Sequence, residues 1–112
     1  MDVLVHHDLP IAEAIAERRP DLEVRSAEDG TEVRERLREV DALVTNTHRW
    51  DDALLDALDP GDWVQSTSAG YSAFPVEAFD ERGVAFSTAA GVTAPTVSEH
   101  AFALALSFSR RL

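Results

Sequence analysis

The stretch Ser66, Thr67, Ser68, Ala69, Gly70 and Tyr71 is small, rich in hydroxyls and interrupted by one glycine. Placed after a strand, such a turn exposes successive backbone N–H groups. Those groups hold a carboxylate or a phosphate without any cationic side chain. A tight strand-to-helix turn that needs Gly70 for its backbone would be spelled the same way. On these residues alone the two readings weigh equally. A second cluster is His6, His7, Asp8 and His48. Imidazoles and a carboxylate suit a metal, but metal sites take three or four ligands. Neighbouring strand residues point to opposite faces, so only one of His6 and His7 reaches a given point. Polar lining of a cleft mouth is the better reading, and no metal is expected. Glu99 and His100 are adjacent. Neighbours on a helix do not share a face, so this pair makes a poor acid–base dyad.

Several chemistries are excluded outright. The five glycines are single and far apart, so there is no G-x-G-x-x-G. No P-loop and no His-Glu-x-x-His occurs either. All 10 basic residues are Arg, which removes Schiff-base chemistry and a P-loop lysine. The chain has no Cys, so disulfides, thiolate nucleophiles and zinc–cysteine sites are absent. A receiver domain needs a Lys after its fifth strand, and none exists.

The charge is informative. Ten Arg stand against 21 Asp and Glu, for a net charge of -11. Such an acidic surface disfavours nucleic acid and anionic membranes as partners. The acids are spread along the chain (Asp2, Glu13, Glu28, Asp41, Asp62, Glu81) and do not form a tail. At 45% hydrophobic the chain is globular. No Lys, much Ala and a dispersed acidic surplus resemble the composition of halophilic proteins. The chain opens on an apolar run with no basic leader, and no stretch has the length of a membrane span. A cytoplasmic location follows as the expectation.

These residues need a frame. Length alone gives one domain. Hydrophobic patterning predicts strands over residues 2–7, 22–27, 41–47, 63–68 and 84–88. It predicts helices over 9–19, 31–40, 51–58 and 75–83, with Pro10 at the first helix start. The second strand is the most polar, as an edge strand would be. Alternation of this kind means a parallel five-stranded sheet with helices on both faces, flavodoxin-like in order. Ligands of such α/β sheets bind outside the carboxyl ends of the strands. Those ends are residues 6–8, 45–48, 66–70 and 89–91. Residues 95–112 read as one long helix, capped by Thr93 or Thr96 and apolar nearly all round over 101–108 (AFALALSF). A five-stranded layer cannot cover both sides of it, so a second domain or a second subunit is expected against it.

Residues 63–70 (WVQSTSAG), 79–86 (FDERGVAF) and 90–101 (AGVTAPTVSEHA) follow one another at a telling spacing. Together they closely resemble the N-terminal part of the D-isomer-specific 2-hydroxyacid dehydrogenases. The resemblance spans the chain and is most specific at 97–101 (VSEHA). It implies a flavodoxin-like substrate-binding domain over 1–92. It also implies a helix over 93–112 that begins an inserted Rossmann domain and packs across a homodimer through 95–112. The implied reaction is hydride transfer between NAD or NADP and a small 2-ketoacid or D-2-hydroxyacid. The family's catalytic Arg, Glu and His and its glycine fingerprint are expected beyond Leu112. The chain then resembles roughly the first third of such an enzyme and is expected to be inactive alone.

Site residues carry over singly. Ala69 and Gly70 match the family loop whose amides bind the substrate carboxylate, with Ser68 beside them and Tyr71 bordering the substrate. Thr93 matches a position facing substrate and nicotinamide in some members, and Thr96 is a cofactor-side candidate. By their place in the cleft, His48, Arg49 and Trp50 would shape the pocket for the substrate side chain. Many members have Gly where Ser68 stands and an acidic residue near Ser72. Two other readings compete with the enzyme: a non-catalytic flavodoxin-like binding or dimerisation module, and a regulatory relative of the dehydrogenases.

The charge yields a first prediction. Self-repulsion among the acids is screened by salt, so the thermal midpoint rises between dilute buffer and molar KCl. Equal midpoints would remove the halophilic reading.

Overall fold

The structure, a computed structural model, describes residues 1–6 and 11–112. The expectations placed on His7, Asp8, Leu9 and Pro10 lie outside the described residues.

Five strands form one parallel sheet: β1 (Asp2–His6), β2 (Glu23–Ala27), β3 (Ala42–Thr45), β4 (Trp63–Ser66) and β5 (Ala85–Ser87). Their order is β2-β1-β3-β4-β5, the flavodoxin-like order expected from the alternation. β1 and β3 are the central strands, and their run of buried residues is continuous. β2 lies at the edge, where its polar Glu23, Arg25 and Ser26 stay exposed.

Side-chain alternation divides the core between the two faces. On one face Val3, Val5, Ala42 and Val44 pack under α1 (Ala12–Arg18), against Ala12 and Ile15. On the other face Leu4, Leu43 and Val64 meet α2 (Gly30–Leu37) and α3 (Val76–Arg82) through Val33, Leu37 and Phe79. Asp29 starts α2 by accepting the Glu32 N–H at 2.8 Å, and the Glu32 carboxylate reaches back to the Glu28 N–H at 2.9 Å. Gly83 ends α3 at φ 72°, in the left-handed region, and the Val84 N–H closes on the Phe79 carbonyl at 2.9 Å.

One expectation is corrected. The segment expected as a helix over 51–58 is a 3₁₀ helix, Asp52–Ala57. Its three-residue repeat buries Leu54 and Ala57 while Leu55 is only half-buried. Asp51 caps its start by accepting the Ala53 N–H at 2.9 Å. The last helix, α4 (Ala94–Arg110), forms nearly as expected, but no residue of it is buried. Phe102 is 67% and Phe108 88% exposed. α4 stands away from the sheet, and the molecule extends to 57 × 33 × 22 Å. Among the described residues, no helix is long and apolar enough to cross a membrane.

The amino-terminal end of the sheet carries a local electrostatic conflict. Burial beside Asp59 and Asp41 pushes the Asp62 carboxyl above its ordinary pKa, although it accepts the Asp59 N–H at 2.8 Å. A carboxyl raised in the folded state contributes stability when protonated, and that contribution is lost as pH rises through the folded pKa. Asp62→Asn keeps an acceptor and removes the charge. The variant is therefore expected to be more stable than the wild type at pH 7. The gain should shrink as pH falls through the Asp62 pKa, as read by urea midpoints at several pH values.

Candidate functional site

The carboxyl ends of β3 and β4 are laced together. Thr45 and Ser66 are register partners, and both are fully buried. Beyond them the Thr67 N–H donates to the Thr45 carbonyl at 2.8 Å. The Ser68 N–H turns back to the Ser66 hydroxyl at 3.0 Å. The Ser68 hydroxyl then accepts the Thr47 N–H at 3.3 Å, and its carbonyl accepts the Ala89 N–H at 3.0 Å. Ser68 thus ties three strand ends to one point. Its own amide is already engaged, so it anchors the turn.

Ala69 and Gly70 come next, and both are exposed. Among the described residues, neither amide has a hydrogen-bond acceptor. Gly70 does not adopt a positive φ, and a Cβ built on it meets nothing within 4 Å. The backbone therefore does not require glycine here. The reading of Gly70 as a conformational necessity loses its physical basis, and the reading of open main-chain donors keeps its own.

A groove of about 540 Å³ opens at the topological switch between β1 and β3. Among the described residues its lining includes His6, His48, Arg49, Trp50, Asp51, Asp52 and Ala73. The expected placement of His6 and His48 at neighbouring strand ends holds. His6 is buried, with Nδ1 3.1 Å from the Thr45 hydroxyl. Among the described residues no group of three His, Asp or Glu side chains is placed to hold a metal. Asn46 builds the loop: its side chain accepts the N–H groups of His48 and Arg49, both at 2.9 Å, and its carbonyl accepts the Trp50 N–H at 3.0 Å. Trp50 is half-buried. Its ring packs against Phe74 and Phe79 at centroid distances of 5.7 and 5.2 Å, and its indole N–H donates to Asp52 at 2.7 Å.

The other candidates lie apart from this groove. Tyr71 is 66% exposed and lines a separate groove of about 550 Å³ with Phe74 and Val76. Thr93 and Thr96 sit at the head of α4, exposed, and the Thr93 hydroxyl caps nothing. Glu99 and His100 are exposed on the same helix. Sequence reasoning missed Ser66 as the acceptor for the Ser68 amide and Asp52 as the tether of Trp50. It also missed Asn46 as a builder, although an Asn just past a strand is a readable turn signal.

A parallel sheet in flavodoxin order, with free main-chain donors past β4 and a groove at its switch point, is the architecture of an α/β domain that takes small ligands at its strand ends. The catalytic-domain model of the D-isomer specific 2-hydroxyacid dehydrogenases matches residues 3–109, and the chain belongs to that family. Solved structures agree on the fold. D-Lactate dehydrogenase from Aquifex aeolicus, solved with NAD and lactic acid, superposes with a TM-score of 0.72 at 18% identity, over 94% of this chain and 33% of its own. D-Mandelate dehydrogenase from Rhodotorula graminis gives 0.69 at 23%, over 95% and 36%. The TT0316 protein from Thermus thermophilus gives 0.68 at 27%, over 99% and 37%. The chain spans about a third of the length of each.

The lacing is testable by Ser66→Ala. Removing the buried acceptor leaves the Ser68 amide unpaired, at a cost of about 1–3 kcal/mol. Urea denaturation should show this loss, and hydrogen exchange at Ser68 should accelerate more than exchange at Leu43 in the core.

Proposed function

We propose that this chain is the substrate-binding part of an oxidoreductase that moves hydride between NAD or NADP and a 2-ketoacid or D-2-hydroxyacid. The observation that carries the reading is the pair of unoccupied donors at Ala69 and Gly70, held out from the sheet by the Ser68 anchor. They receive the carboxylate of the substrate. Tyr71 borders it, and His48 and Trp50 face its substituent from the β3 side. Hydrogen bonds to a charged partner are worth about 1.5–3 kcal/mol each. Two of them are worth at most about 6 kcal/mol, most of which the cost of association offsets, so the chain alone binds the acid only weakly.

The described residues do not form a dinucleotide site. Thr93 and Thr96 are exposed and line neither groove, and no glycine fingerprint is present. The proposal therefore assigns the cofactor mainly to protein outside residues 1–112, with Thr96 and Thr93 as the residues nearest to it. In the same reading residues 1–92 form the substrate domain and 93–112 the interdomain helix. The uncovered apolar side of α4 supports a homodimer through 95–112. It is also the observation that favours the second reading, a non-catalytic dimerisation module. The acidic, lysine-free composition supports a halophilic protein.

Pyruvate titrated to high concentration into isotope-labelled chain is expected to shift the Ala69 and Gly70 amide resonances as a weak, saturable binding event. Gly70→Ala should leave stability within about 0.5 kcal/mol, because its Cβ meets open space. The added methyl stands where the anion approaches, so pyruvate binding should weaken several-fold. Unmoved amides at saturating pyruvate would favour the module.

A further inference from the structure

We infer that the acid this domain selects carries a neutral aromatic ring on C3, an arylpyruvate or the corresponding 2-hydroxyacid, and that Trp50 is the residue that selects it. The inference rests on the proposed carboxylate turn and deepens it.

The first argument is size. The groove past β1 and β3 is open to solvent and has about 540 Å³ of space, room enough to seat a ring. A three-carbon acid would leave most of it to water. The second argument is the wall. Trp50 is held at two ends, by Phe74 and Phe79 beneath it and by Asp52 at its indole N–H. Phe86 extends the same stack, 4.9 Å from Phe74 and 5.2 Å from Phe79. A ring fixed this way loses little freedom when another ring joins it, and aromatic pairs gain beyond their buried area. The third argument is charge. Among the described lining residues Asp51, Asp52 and Arg49 carry the formal charges, two negative against one positive. A second carboxylate or a phosphate on the substrate would meet net negative charge, whereas a neutral ring would not.

The two loops also leave the sheet from joined roots. Thr47 and Ser68 are bonded at the roots of the two loops. Trp50 lies three residues beyond the first and Gly70 two beyond the second. Ala73, three residues past Gly70, lines the same groove as Trp50.

The test uses the two indole N–H resonances of the chain, which has two tryptophans. Trp50 follows the carboxyl end of β3, while Trp63 begins β4 at the opposite end of the sheet and is bonded to Ser87. Phenylpyruvate, pyruvate and 2-oxoglutarate are titrated separately into the labelled chain. The inference expects phenylpyruvate to bind at least tenfold more tightly than either of the others and to shift the Trp50 indole while Trp63 stays still. Trp50→Leu should cut the advantage below threefold. Should that variant fold poorly, Asp52→Ala, which unties the indole and removes one groove charge, should reduce the advantage over pyruvate, an acid of the same charge as phenylpyruvate, about threefold. Equal affinities for the three acids, with Ala69 and Gly70 shifting throughout, would overturn this inference and leave the carboxylate turn standing. No shift at Ala69 or Gly70 with any acid would overturn both.

Discussion

The Ser68 anchor is the constraint on which the rest of the site depends. Its hydroxyl accepts the Thr47 N–H, its amide is spent on the buried Ser66 hydroxyl, and its carbonyl is spent on Ala89. A residue bonded in three directions cannot rotate freely, so the chain leaves it along one course. The next two amides are then presented outward and unpaired. Presentation matters energetically because donors already in place need no reorganisation when an anion arrives. A glycine-containing loop without such an anchor would lose part of each bond to ordering entropy.

The strand order adds a second constraint. Because β1 lies between β2 and β3, the connections leaving β1 and β3 run to opposite faces and part at the carboxyl end. The opening between them is the groove that His6, His48 and Trp50 line. The donors follow β4, on the neighbouring side of β3. The Thr47–Ser68 bond ties the loops after β3 and β4 together at their roots, so in the proposed reading a ligand that reaches both must cross β3. The aromatic stack under Trp50 continues into the core through Phe79, which is almost fully buried. The floor of the groove therefore has the packing of the interior.

The sheet was legible in the sequence because burial on both faces leaves a strong mark. β1 and β3 are short apolar runs between polar turns, and β2 is polar enough to be assigned to the edge. The 3₁₀ segment was harder to read, since Leu54, Leu55 and Leu58 suit an α-helical stripe equally well. The tighter winding buries Leu54 and Ala57 together, a tertiary matter that periodicity does not encode. At the site, the residue types of the turn were readable while its bonding was not. Nothing in the letters S-T-S-A-G says that the first donor is consumed by Ser66 and the next two are left open. Nor does a single glycine tell whether it serves conformation or access. That distinction came from the φ of Gly70 and the open space around it. α4 was legible as an apolar helix, but what covers it is a property of an assembly, and sequence periodicity describes one chain at a time.

The choice of main-chain donors fits the electrostatics of the whole molecule. With a net charge of -11, the surface repels a carboxylate at long range, and a single arginine on that surface would offset only part of the repulsion. Salt removes the long-range part, shrinking the Debye length from about 10 Å at 0.1 M to about 3 Å at 1 M. It weakens an exposed guanidinium–carboxylate pair by the same screening. Hydrogen bonds from fixed amides act at contact and keep most of their strength under those conditions. In the proposed reading, a turn of open amides serves an acidic, lysine-free chain in salt better than a cationic side chain would. Ala69 and Gly70 provide such a turn.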